Sequence, residues 1–88
     1  MAKEPYNPAL RAAFFEVVDN QIRDGTPPET RLTLERLMAE GRSKKEAREL
    51  IAVVVATEIF EVMKNKEPFQ ESRFVAALKA LPRLPEDE

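Results

Sequence analysis

The chain has no cysteine, no histidine and no tryptophan, and only two of its 88 residues are glycine. Without cysteine it forms no disulfide and offers no thiolate to a metal ion or to nucleophilic catalysis. Without histidine it lacks the imidazole of catalytic triads and of structural zinc sites. Gly25 and Gly41 each follow a helical pattern, so neither belongs to a phosphate-binding loop. These absences predict that the chain is not an enzyme.

The sequence also lacks a strong charge of one sign and a long apolar run. Its formal net charge is −2, with both signs interspersed, which gives no electrostatic basis for binding nucleic acid or an anionic membrane. The basic residues at 42–45 are interpreted as a solvated helix end. No apolar run approaches the length of a membrane span, and the first residues do not resemble a signal peptide. We therefore predict a cytoplasmic protein whose partners include neither nucleic acid nor a membrane.

Local start and stop signals divide the chain into four helices. The start signals place a capping side chain or an early proline before a periodic run; they are Asn7-Pro8, Thr26-Pro27-Pro28-Glu29 and Ser43-Lys44-Lys45-Glu46. The stop signals are Gly25, Gly41, Asn65 and Pro82. The predicted helices cover about residues 8–24, 27–40, 43–65 and 70–81. Residues 82–88 are predicted to form a disordered acidic tail.

Each predicted helix carries an apolar stripe at helical spacing. The stripes are Leu10, Phe14, Val17 and Val18 in the first helix, Leu34, Leu37 and Met38 in the second, and Phe74, Ala77, Leu78 and Leu81 in the fourth. The third helix has two apolar sides: Ala47, Leu50, Ile51, Val54 and Val62 on one, and Val53, Ala56, Phe60 and Met63 on the other. Such a helix is buried on most of its surface. The sequence therefore predicts one all-α domain, a compact four-helix bundle with a long central third helix.

The predicted helix lengths bear on assembly. The second and fourth helices are too short to flank the third completely, which leaves part of the third helix, or the Phe14/Phe15 flank of the first, for a partner. A symmetric dimer is the commonest way for a small protein to cover such a surface. We therefore expect a homodimer or another protein partner.

Three polar residues fall in or beside apolar stripes and are candidate buried polar residues: Gln21, Glu58 and Glu61. Glu58 lies between Val54 and Val62, and a buried carboxylate needs a partner or stays protonated. The candidate partners are Arg11, Arg31, Arg48, Gln21 and Glu58 of a second copy. Glu61 is interpreted as a rim residue, solvated or paired with a nearby Lys or Arg.

A second interpretation of the same carboxylates is a binding site. Glu58 and Glu61, with Glu16 and Asp19 on the first helix, would offer oxygen ligands to a hard cation. The bundle sites known for this chemistry use Glu-x-x-His pairs, which a chain without histidine cannot form. Glu16 and Asp19 are also expected to lie away from the stripe of their helix. We therefore assign no metal ligand, no cofactor and no catalytic residue from the sequence.

Four segments carry a resemblance: Asn7-Pro8-Ala9-Leu10-Arg11, Val17-Val18-Asp19-Asn20-Gln21, Pro27-Pro28-Glu29-Thr30 and Gly41-Arg42-Ser43-Lys44-Lys45-Glu46-Ala47. In these segments the chain resembles a small family of uncharacterised bacterial all-α proteins, over most of residues 7–81. The resemblance implies a bacterial setting and a helical fold, and it implies no activity or site residue.

The functional prediction from the sequence is a small cytoplasmic interaction or assembly module, homodimeric and without catalytic activity. The alternative is a helical bundle that binds a metal ion or small ligand through buried Glu58 and Glu61. Thermal melting with divalent metals separates the two, because a ligand that binds only the folded state raises the melting temperature.

Overall fold

The computed structural model describes residues 8–84. Within this range four helices follow one another: α1 (Pro8–Asp24), α2 (Pro28–Ala39), α3 (Lys44–Asn65) and α4 (Glu71–Ala80). At 22 residues α3 is the longest of the four. No strand occurs within the described range. The prediction of an all-α four-helix bundle with a long third helix is confirmed.

The start of α3 forms as the sequence predicts. Ser43 accepts a hydrogen bond from the backbone N–H of Glu46 at 3.0 Å, and the Glu46 carboxylate accepts one from the backbone N–H of Ser43 at 3.1 Å. Two N–H groups that have no partner inside the helix are thereby satisfied, which is the function of a capping box. α3 therefore begins with both of its predicted capping bonds.

The start of α2 differs from the prediction. Thr26 does not cap the helix: its hydroxyl lies 3.4 Å from the carbonyl oxygen of Asp24, and extended Pro27 takes the cap position without a side-chain bond. Since Pro27 and Pro28 carry no N–H, the first turn leaves fewer donors that need a cap. The helix begins at Pro28, and the predicted capping box with Glu29 is wrong.

The helix ends also give one correction. Gly25 and Gly41 have positive φ angles of 67° and 107°, the conformation expected of a glycine that ends a helix. After α3, however, the left-handed residue is Lys66, with φ 55°, and not Asn65. Asn65 stays helical and uses its amide to bond the Glu61 and Glu67 carboxylates. The predicted stop is therefore one residue early.

The core draws on all four helices and on the residue after α4. Its buried apolar side chains are Phe14, Val18, Leu34, Leu37, Ala47, Ile51, Ala52, Val54, Val55, Ala56, Phe74, Leu78 and Leu81. Most of them belong to the predicted stripes. Three members of the predicted stripes are not buried: Leu10, Met38 and Met63 are 39%, 43% and 66% exposed. The buried face of α2 instead includes Thr30 and Thr33, which turns Met38 toward solvent.

α3 lies at the centre of the bundle. It packs against α1, α2 and α4, and α2 also packs against α1 and α4. α1 and α4 share no comparable interface. They therefore lie on different flanks of α3, with α2 between them.

Two arginines of α2 connect the carbonyl ends of the neighbouring helices. Arg31 donates to the carbonyl oxygen of Ile22 at 2.6 and 3.1 Å, near the end of α1. Arg36 donates to the carbonyl oxygen of Leu78 at 3.2 Å, near the end of α4. Cationic donors at helix C-termini satisfy unpaired carbonyls and interact favourably with the helix dipole. α2 thus holds α1 and α4 through polar bonds as well as through its core side chains.

The chain after α4 is ordered further than the sequence predicts. Leu81 is buried, Leu84 packs against the core, and the backbone N–H of Arg83 donates to the carbonyl oxygen of Ala80 at 3.0 Å. The prediction that disorder begins at Pro82 is wrong for 82–84, because Leu84 buries apolar surface. The remaining tail at 85–88 and the predicted cap Asn7 lie outside the described residues. Among the helices of residues 8–84, none is apolar over a stretch long enough to span a bilayer.

Candidate functional site

Glu58 is buried on the side of α3 that faces α4, where it forms an ion pair with Arg73. Arg73 Nε donates to Glu58 Oε1 and Oε2 at 3.0 and 3.1 Å, and Arg73 Nη2 donates to Oε2 at 2.6 Å. The Glu58 side chain is 7% exposed and that of Arg73 is 36% exposed. Both carboxylate oxygens are therefore engaged by a single guanidinium, the arrangement that binds a carboxylate most specifically.

Further bonds around Arg73 extend this ion pair toward the loop between α3 and α4. Arg73 Nη1 lies 3.5 Å from Glu67 Oε2, and Glu67 accepts a bond from Asn65 at 3.0 Å. The hydrogen bond from Arg73 to Glu58 raises the pKa of the guanidinium above its ordinary value, and burial opposes the rise. The environment of Arg73 therefore favours its charged form, which an arginine side chain keeps at physiological pH in any case. Within residues 8–84, no buried side-chain nitrogen or oxygen lacks a hydrogen-bond partner.

The predicted partners of Glu58 are wrong, because each candidate arginine is engaged elsewhere. Arg11 pairs with Glu49 at 3.4 Å, and Arg48 pairs with Asp19 through two bonds of 2.9 Å. Arg31 binds the end of α1. With both oxygens on Arg73, Glu58 also needs no contact with Glu58 of a second copy. The sequence gives one weak signal for Arg73: it lies four residues before Ala77, at the edge of the α4 stripe.

Gln21 is half-buried near the end of α1, and its partner is Thr30 of α2. The Thr30 hydroxyl donates to Gln21 Oε1 at 2.9 Å, and Thr30 is fully buried. Gln21, a polar residue in the apolar stripe of α1, thus lies against Thr30, a polar residue on the buried face of α2. A buried hydrogen bond of this kind favours one relative placement of the two helices. Gln21 stabilises the α1–α2 interface and takes no part in the Glu58 pair.

Glu61 lies at the rim of the same side of α3 and is half-buried. It accepts a hydrogen bond from the side-chain amide of Asn65, one helical turn later, at 2.9 Å. The predicted rim position therefore agrees with the structure, but the partner is an amide and not a Lys or Arg.

An open cleft of about 430 Å³ lies between α3 and α4, beside the Glu58–Arg73 ion pair. Its lining includes Glu58, Glu61 and Arg73, with small side chains of α4 such as Ala76 and Ala80. A metal ion, or any other ligand that binds the Glu58 carboxylate, would have to displace Arg73 from both carboxylate oxygens. Within the described residues, no group of three or more carboxylates is placed to hold a metal ion.

The opposite flank, between α1 and α3, is held by charges at the surface. The guanidinium carbons of Arg11 and Arg48 each lie 4.9 Å from the centre of the Phe15 ring. These two arginines pair with Glu49 and Asp19, so two ion pairs connect α1 and α3 across Phe15. Phe14 is buried and packs edge-on against Phe60, with ring centres 6.0 Å apart. Phe14 is therefore covered, and Phe15 is half-buried beneath the two arginines.

The remaining side of α3 points away from α2 and lies between the two flanks. At about 100° per residue, it presents Glu46, Leu50, Val53, Thr57 and Lys64, which we call the open face of α3. Leu50, Val53 and Thr57 are half-buried, and Glu46 and Lys64 are exposed. Ile51 and Val55, on the opposite side of the helix, are buried in the core. The open face thus has an apolar middle and a charged residue of opposite sign at each end.

Comparisons of the chain with protein-family models, with curated proteins and with solved structures give no match. The resemblance to a bacterial helical family stays a prediction.

Proposed function

We propose that this chain is a non-catalytic interaction module that assembles as a homodimer through the open face of α3. The observation that carries the proposal is the partial exposure of Leu50 and Val53 in the middle of the central helix. The other three sides of α3 are covered by α1, α2 and α4. An apolar strip on a core helix is a favourable surface for a second protein molecule, because contact removes it from water.

The apolar side chains that are more exposed than Leu50 and Val53 are scattered over separate parts of the surface: Leu10, Leu32, Met38, Met63 and Phe69. Phe69 packs against Phe74, with ring centres 5.8 Å apart. Leu32 is 59% exposed on α2. Single exposed apolar residues are normal on a protein surface and need no partner. Leu32 therefore serves as a control position away from α3.

The test is sedimentation velocity on three chains at micromolar concentrations. We expect the unmodified chain to sediment with twice its own mass. Val53→Glu places a charge in the middle of the open face, and burial of an unpaired charge opposes association. We expect it to raise the dimer dissociation constant at least tenfold (about 1.4 kcal/mol or more), with helical circular dichroism unchanged.

Leu32→Glu is the matched control, since it introduces the same side chain at an exposed apolar position of another helix. It should leave the dimer intact. A monomer for the unmodified chain, or equal dissociation by both variants, would contradict the proposal.

The alternative function is a metal or ligand site in the cleft between α3 and α4. The cleft favours it, but the engagement of both Glu58 oxygens by Arg73 opposes it. Thermal melting with magnesium or manganese decides: a site filled only in the folded state raises the melting temperature with metal concentration. We expect no such rise. The cytoplasmic and bacterial setting stays a prediction.

A further inference from the structure

We infer that two copies of α3 pack antiparallel, in one register, with Glu46 of each copy opposite Lys64 of the other. This inference rests on the proposed function, and it adds the orientation and register of the dimer. It follows from the order of side chains along the open face, which pairs with itself when the second helix is reversed.

The register comes from the positions on either side of Val55. Val53 and Thr57 lie two residues before and after it, and Glu46 and Lys64 lie nine residues before and after it. A two-fold axis that crosses α3 at the height of Val55 therefore places Val53 opposite Thr57 of the second copy. The same axis places Leu50 opposite Phe60, which borders the open face. In this register apolar or small side chains meet in the middle, and opposite charges meet at both ends. Glu49 and Glu61 also come opposite each other at the edges of the strip, where Glu49 pairs with Arg11 and Glu61 bonds Asn65.

The parallel orientation gives a poorer match. It would place Glu46 beside Glu46 and Lys64 beside Lys64 of the second copy, and like charges at a helix interface disfavour that arrangement. The dipoles of two neighbouring helices attract each other only when the helices run in opposite directions. Val53 and Thr57 are small enough to let two helices approach at the centre of the strip. Charge and size therefore both favour the antiparallel pair.

Because the chain contains no cysteine, single-cysteine variants test this geometry directly. Glu46→Cys and Lys64→Cys are prepared separately, and disulfide formation is followed under mild oxidation for each variant alone and for a mixture. In an antiparallel dimer, two copies of one variant hold their thiols about 27 Å apart, the length of 18 helical residues, which is far beyond disulfide reach. We expect cross-linked dimer in the mixture only.

Every other result contradicts the inference. Cross-linking of either variant alone indicates a parallel pair. Absence of cross-linking in the mixture, while both variants still sediment as dimers, indicates that another surface or register is used. A monomeric unmodified chain overturns the proposed function and this inference with it. The failures of the two proposals are thus distinguishable.

Charge reversal gives a second test that needs no oxidation. Glu46→Lys alone and Lys64→Glu alone each place like charges together at both ends of the dimer. Because Glu46→Lys also removes one capping bond of α3, helical circular dichroism and thermal melting of each variant check that its fold is intact. We expect either change to weaken association by about tenfold at low salt, as two exposed ion pairs allow. The two changes in one chain restore opposite charges and should restore association. If the double variant is as weak as the single ones, Glu46 and Lys64 do not meet, and the inference is wrong.

Discussion

Two sides of the same helix, α3, differ in how completely residues 8–84 cover their side chains. On the side toward α4, Glu58 is buried and both of its oxygens are bonded to Arg73. On the open face, Leu50 and Val53 are only half-buried between Glu46 and Lys64. The first side contains a polar group that the chain satisfies completely. The second contains apolar groups that the described part of the chain covers only in part.

This difference separates a residue that stabilises the fold from a surface that is available to a partner. A buried carboxylate attracts attention in a sequence because burial without a partner is unfavourable. Once Arg73 supplies that partner, the carboxylate has a structural explanation and needs no ligand. For Leu50 and Val53, the described residues 8–84 leave part of the apolar surface uncovered. The functional proposal therefore rests on the open face of α3 and not on Glu58.

The largest expected effect is that of Arg73→Ala, which leaves the buried Glu58 carboxylate without its partner. Loss of one member of a buried pair typically lowers stability by about 3–5 kcal/mol; because Arg73 is partly exposed, we expect the lower end of that range. Urea unfolding measures it. Arg48→Ala is the control, since it removes an arginine from a pair whose Asp19 partner is 52% exposed, and should lower stability by about 1 kcal/mol or less. Equal losses would show that burial of the carboxylate does not distinguish the two pairs.

Glu58→Gln removes the charge and keeps the size of the side chain. We expect a loss of about 1.5–3 kcal/mol, the value of a hydrogen bond to a charged group. Glu58→Leu should be less harmful than Glu58→Ala, because it fills the space and Arg73 can reach water. Urea unfolding measures the free energy of unfolding of the three variants. An unchanged value in all three would mean that Glu58 is not buried.

The neighbouring valines Val53 and Val54 compare the two sides of α3 directly. Val54 is 1% exposed, so Val54→Ala should lower the unfolding free energy by about 2 kcal/mol through lost burial and a cavity. Val53→Ala should lower it by less than about 0.5 kcal/mol when measured on the dilute chain. The comparison fails if Val53→Ala is as destabilising as Val54→Ala under those conditions, because the open face would then be part of the core.

The smallest effects concern the helix starts, where two similar sequence signals differ in the structure. Ser43→Ala removes a capping bond and should lower stability by about 0.5–2 kcal/mol. Thr26→Ala removes no cap and should change stability by less than about 0.5 kcal/mol. Thermal melting of both variants measures the two losses of stability. A larger loss for Thr26→Ala than for Ser43→Ala would reverse the assignment of the caps.

The sequence predicts what depends on neighbours along the chain. The Ser43–Glu46 capping box, the glycine stops and the order of four helices follow from local chemistry, and the structure confirms them. The burial of Glu58 could be predicted as well, because its position in an apolar stripe is a property of one helix.

The partners of polar residues could not be predicted, because they depend on how the helices pack. Arg73 is 15 residues from Glu58 and belongs to another helix. Gln21 and Thr30 meet because a polar position in α1 lies against one in α2, and this same packing buries α2 on its threonine side and exposes Met38. Helical periodicity gives the apolar side of a helix, but it does not give the rotation of that helix against its neighbour.

The central claim is that the open face of α3 is covered by a second copy of the chain. The most direct measurement is the melting temperature of the unmodified protein over a wide range of protein concentrations. Because association stabilises the folded state by mass action, the melting temperature should rise steadily with concentration. A melting temperature that is the same at every concentration would contradict the claim, since the folded chain would then gain nothing from a second copy.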